Sequence, residues 1–165
     1  MREGMEKKMT SLLLELLKDS KRSDREIAKV LGVSQPTVSR MRWRLEEEGW
    51  IKDFTVIPDF VKMGYEIMAI SSFKLKVDKG SVEKAKKVTM AKPNIIFASS
   101  GHGMGKNGVM LSLHKNYTDF SRFLSGLRLE GGDALRDYDT MLISLREKVV
   151  KPLSLKYLAE LKETL

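Results

Sequence analysis

Arg40 and Arg44 stand four residues apart, a spacing that brings both guanidinium groups to one side of a helix. A planar guanidinium offers paired donors that match the acceptor edge of guanine or two oxygens of a phosphate. Ser34, Gln35, Pro36 and Thr37 precede them, where the helix would begin, and groups at a helix start can reach base edges or phosphates. At about 100° per residue, Pro36, Thr37, Arg40, Trp43 and Arg44 lie opposite Val38, with Ser39 beside them. Arg42 points instead towards the flank of the core. The run Arg40–Arg44 therefore holds two outward arginines and one flanking arginine. This is recognition chemistry, not bond-making chemistry. The chain has no cysteine, which excludes disulfides, thiolate metal sites and a cysteine nucleophile. Its two histidines are His102 and His114, and His114 has no partner spaced for a metal. No catalytic residue, metal or cofactor is expected. The competing reading of the arginines is a packed helical pair with a solvated basic face.

The elements that must position these side chains are written in Ser23–Trp50. Ser23 can cap a helix, and Glu26, three residues on, completes a capping box. Ile27, Ala28 and Leu31 form that helix's inner face. Gly32 supplies the positive φ of a sharp turn, Val33 plugs the corner, and Ser34 caps the next helix. Val38, Met41 and Leu45 follow as its buried stripe. Two short helices joined this way make a helix-turn-helix, whose second helix enters the DNA major groove. Residues 5–18 supply a first helix, with Met9, Leu12, Leu13, Leu16 and Leu17 turned towards the other two. Trp50 to Ile57 reads as a short wing or linker strand from which Lys52 can touch phosphate. Charge agrees: 30 Lys and Arg against 22 Asp and Glu give a net +8, and residues 20–45 hold seven basic and two acidic residues. Double-stranded DNA is the expected partner.

At 165 residues the chain suits one large or two small domains. No run approaches the length of a membrane span, and the N-terminus reads as an amphipathic helix, not a signal peptide. A cytoplasmic location and no membrane partner are expected. Pro58, Asp59 and Gly64 mark a boundary. We expect a helix-turn-helix domain over 1–58, a linker over 59–65, a second domain over 66–150, and a C-terminal helix over 151–165. In the second domain, strands at 67–77, 94–100, 109–114 and 140–145 alternate with helices at 81–91 and 117–129. The order βαββαβ is the ferredoxin-like split motif, so the fold class is α+β. Strands two and three are separated by a glycine-rich loop, Gly101–Gly108. Its glycines let backbone amides approach an anion, and Lys106 adds charge. A plain flexible hairpin loop, with His102 simply solvated, is the bland alternative.

The stretch EIAKVLGVSQPTVSRMRWRLEEEGWIKDFTVIPDFVKMGY, followed by a βαββαβ domain, resembles the Lrp/AsnC family of bacterial and archaeal transcription regulators. The resemblance covers about residues 5–148. It implies a winged helix-turn-helix, a strand linker and a ligand-sensing domain that dimerises and often assembles further. It also implies a small-molecule effector near the hairpin between strands two and three, here Gly101, His102, Gly103, Met104, Gly105 and Lys106. The family's Gly-Asp-aromatic-Asp motif before the third strand is absent, so the effector need not be an amino acid. The implied function is sequence-specific DNA binding in transcription regulation, without enzymatic activity. Two alternatives share the layout: a haem-precursor (siroheme-type) decarboxylase, for which His102 and Lys106 lie in the right region, and an architectural DNA-binding protein. A homodimer or larger homo-oligomer would form through the open sheet face, with Met68 and Met110 as test positions, unless the C-terminal helix covers that face.

Overall fold

The computed structural model describes residues 2–132 and 135–160, with side chains from residue 6 onward. The chain divides into two compact units, one holding the residues up to Ile57 together with those from Lys151, the other Pro58–Val150.

The first unit carries α1 (Arg2–Lys18), α2 (Asp24–Leu31) and α3 (Gln35–Glu47). Its core is Met9, Leu12, Leu16, Ile27, Ala28, Val38, Met41 and Leu45, with Leu13, Leu31, Val33 and Ile51 packed against it. These are the positions spaced three and four apart that the sequence marks as apolar faces. The capping box at Ser23–Glu26 forms in full. Gly32 ends α2 at φ 63°, and its N–H donates to the Ala28 carbonyl. Residues 51–57, expected as a strand, form none. Ile51 N–H donates to the Leu45 carbonyl at 2.9 Å and the chain then runs on without a ladder partner.

The expected C-terminal helix from Pro152 is replaced, within the described residues, by a 3₁₀ helix, Leu155–Glu160. It packs on α1. Ala159 is buried, while Leu155 and Leu158 of the expected stripe are exposed; Leu161 lies outside the described residues. This packing accounts for the make-up of α1. Leu14 and Glu15 are buried although neither belongs to the core cluster, so α1 is covered on more than one side.

The second unit contains β1 (Ile67–Leu75), α4 (Lys79–Met90), β2 (Ile95–Gly103), β3 (Lys106–His114), α5 (Tyr117–Gly131) and β4 (Leu135–Ser144). Its antiparallel sheet has the order β2-β3-β1-β4, the ferredoxin-like arrangement. β2, β3 and β4 are longer than expected, and β1 stops two residues short of Val77. The glycine-rich loop contracts to a two-residue turn at Met104 and Gly105, both with positive φ (49° and 72°), the pattern of a type I′ hairpin. Likewise β4 begins at Leu135, five residues before the expected start at Thr140.

Register corrects one residue. Ser71 pairs with Met110 and Phe73 with Gly108, and Met110 and Phe73 line a cavity together with α4 and α5 residues. Met110 thus lies under the helices, 3% exposed, and cannot serve as a test position on the open face. That face carries Met68, Ile70, Val109, Leu111, Met141 and Ile143, with Met141 66% exposed.

Candidate nucleic-acid interface

The recognition face is built on α3. Ser34 caps it in extended conformation, its Oγ accepting from Thr37 N–H at 3.3 Å and lying 2.8 Å from Thr37 Oγ1. Pro36 occupies the first turn, where its missing N–H costs nothing. Val38, Met41 and Leu45 anchor the opposite side in the core. With those three fixed, helical phase points Gln35, Arg40 and Trp43 outward, and all three are exposed, Trp43 by 61%.

The three arginines separate by their partners. Arg42 donates from Nε and a terminal nitrogen to Asp24 Oδ1 at 2.9 and 2.7 Å, and Ser39 Oγ donates to the other oxygen of Asp24 at 2.5 Å. Burial alone would raise the Asp24 pKa. The hydrogen bonds from Ser39 and Arg42 outweigh it and hold the carboxyl below the usual range. Ser39 and Arg42 thus tie α3 to the start of α2. Arg44 is paired with Glu48 through two bonds to Oε1, at 3.1 and 2.8 Å. Arg40 is exposed and has no side-chain partner among the described residues. Lys52 is exposed just beyond α3, on the extended segment.

Behind this face, Glu15 on α1 is buried and accepts from Lys18 and from Arg22, the latter at 2.5 Å. Burial would raise its pKa, but those two hydrogen bonds lower it further, and the carboxyl stays below its ordinary value. The only mark of this cluster in the sequence is an acid inside an apolar helix. In hindsight that is the signal, because a buried carboxylate requires partners.

The comparisons with known proteins bear on both units. Residues 5–52 match a winged helix-turn-helix DNA-binding family. An HTH-type transcriptional regulator of Pyrococcus horikoshii is 32% identical over 117 residues, 68% of this chain and 74% of that protein. The regulator LrpA of Pyrococcus abyssi is 31% identical over 96 residues, 56% of this chain and 67% of its own. A regulator of Pyrococcus furiosus matches at 42% over 72 residues, and there the chain spans about half (47%) of the relative's length. The chain belongs to the Lrp/AsnC family. Solved Lrp/AsnC-type structures share the whole two-unit fold. An AsnC-family regulator from Agrobacterium tumefaciens has a TM-score of 0.75 at 18% identity, covering 91% of this chain and 97% of that one. A Neisseria meningitidis regulator in complex with L-Met has a TM-score of 0.76 at 15% identity, covering 92% and 97%. The protein is a DNA-binding transcription regulator of this family. No helix of the described residues is long and apolar enough to cross a membrane.

The segment that the family resemblance marks for an effector forms the β2–β3 turn. Met104 is almost fully exposed at its tip, and His102 is exposed beside it. Lys106 is not the free cation expected from sequence. It bonds the Asp137 carbonyl and pairs with Asp139 Oδ2 at 3.1 Å. His102 and the turn backbone are thus left open, while Lys106 is already paired.

Proposed function

We propose that this Lrp/AsnC regulator reads a specific operator as at least a homodimer, and that a small molecule bound near the β2–β3 hairpin modulates it. The observation that carries the DNA reading is the division of labour on α3. Arg42 and Ser39 are consumed by Asp24, while Arg40, Gln35 and Trp43 stand exposed over a rigid core. Ser34, Pro36, Thr37 and Arg44 flank them, and Lys52 adds a phosphate contact. Selection of bound sequences from a random DNA pool, with and without a panel of amino acids including L-methionine, tests both parts. A recovered palindromic consensus supports the reading. Uniform retention of random DNA would make the protein architectural instead.

The dimer reading is supported by the apolar face of the sheet, where Ile70, Phe97 and Met141 stand well exposed beside Val109 and Leu111. A contiguous apolar patch of this kind is typical of an interface. Two copies related by a two-fold axis would bring two recognition helices to half-sites about 34 Å apart. Ile70→Asp and Met141→Asp should convert a dimer to monomer in light scattering; an unchanged mass would move the interface elsewhere. Acting on chromosomal DNA, such a protein works in the cytoplasm.

A further inference from the structure

We propose that the second unit holds a ligand site inside each protomer, beneath α4, built for a small apolar carboxylic acid. It goes beyond the DNA reading and does not depend on it. The site is separate from the hairpin turn.

Helix α4 has no buried residue, although Ala85 and Val88 face the sheet. Between it, α5 and the strands lies a chamber of about 50 Å³ lined by Phe73, Leu75, Ala85, Val88, Met110 and Leu127, among others. Phe73, Leu75, Ala85 and Thr89 also line a cleft of about 560 Å³ that opens along β2 and the outer side of α4. These four residues wall both spaces, so the chamber adjoins the cleft. Cleft size and apolar walls match those of small-molecule sites.

One polar atom faces this interior without a partner, the hydroxyl of Tyr138. Its ring stacks on Phe73, with centroids 5.6 Å apart. Ser71 Oγ, the polar group beside it, lies 3.0 Å from Thr140 Oγ1 and only partly offsets the burial of the phenol. Burial pushes the Tyr138 phenol up to about 12, so it stays protonated and is a donor. A buried donor without an acceptor is unfavourable until something supplies one. Lys84 lines the same chamber and Lys86 lines the cleft. The buried donor and the cations at the exposed rim favour an acid, and Phe73, Val82 and Met90 offer apolar walls along the cleft. Gly108 makes room for this wall: a Cβ there would lie 2.2 Å from the Phe73 ring.

Isothermal titration calorimetry of the full chain with phenylacetate and with 4-methylpentanoate tests the site. We expect saturable binding of at least one acid, weakened about tenfold or more in Tyr138→Phe, which keeps the cavity's shape. Ala85→Trp, which fills the shared wall, should abolish it; Val88→Phe serves the same purpose if Ala85→Trp does not fold. Benzyl alcohol, which lacks the charge, should bind more weakly than phenylacetate. The proposal is overturned if neither acid gives binding at millimolar concentration. It is equally overturned if binding persists unchanged in Tyr138→Phe and the cavity-filling variants.

Discussion

The two units of this chain are finished to different degrees. In the helix-turn-helix unit Leu12, Ile27, Val38 and Leu45 are wholly buried, both caps of the motif are made, and the buried Glu15 and half-buried Asp24 have partners. In the sheet unit no residue of α4 is fully buried, a chamber lies beneath it, and the two buried polar atoms without a hydrogen-bond partner among the described residues, Tyr138 Oη and His114 Nδ1, are both found there. The helix-turn-helix unit is pre-organised, and the sheet unit is left incomplete. Incompleteness of that kind is what a unit needs if something else is to complete it.

The sharpest way to break this contrast is to remove core from the tight unit. Leu45→Ala should cost about 2–5 kcal/mol of stability, read by urea unfolding, and should abolish DNA binding with it. A loss below 1 kcal/mol would mean that the unit is no better packed than its neighbour. Next in size is the arginine contrast. Arg40→Ala should cost about 1–3 kcal/mol of DNA affinity in fluorescence anisotropy at fixed salt. Arg42→Ala should act chiefly on stability, because its removal strands Asp24. The assignment fails if Arg42→Ala, still folded, weakens DNA binding more than Arg40→Ala does.

The sheet unit should also carry the pH dependence on the acid side of neutrality. His114 is wholly buried against Phe120 and Phe123, with Ser112 Oγ 2.9 Å from Nε2. Burial lowers its pKa, partly opposed by Asp119. Protonation therefore favours the unfolded chain. The stability contribution is present above the ordinary value of 6.5 and is lost as pH falls below it. Thermal unfolding between about pH 7 and pH 5 should show that loss, and His114→Leu should flatten it. An identical slope in the variant would assign it to other groups. The smallest effect belongs to α4: Val82→Ser should stay within about 0.5 kcal/mol, since Val82 is already half in solvent. A larger loss would mean that α4 is more firmly seated than its exposure indicates.

What could be read from the sequence follows the same division. The helix-turn-helix was legible because its signals are local: Ser23, Glu26, Gly32 and Ser34 punctuate it, and its apolar residues keep one helical period. The open-face assignment of Met110 failed because alternation says which residues share a side of one strand. Only the pairing of Ser71 with Met110 says which side that is in the sheet. The early start of β4 was hidden by Asp137, at positive φ, and by the irregular pairing between Ser72 and Lys74, which break the period of two. The glycines of the hairpin suggested a loop, whereas two positive-φ residues suffice to turn the chain. On the recognition face, helical phase foresaw Arg42's flanking position; it could not show that Glu48 would engage Arg44 or that Asp139 would engage Lys106, since each depends on a carboxylate's final place.

The 3₁₀ helix against α1 has a consequence in time. A ribosome delivers α1, α2 and α3 first, but the piece that completes their packing emerges only after the entire sheet unit has been synthesised. Until then α1 lacks that packing. The nascent chain therefore makes its sheet unit before its helix-turn-helix unit is whole, and a message cut short before Lys151 yields a helix-turn-helix unit without that piece.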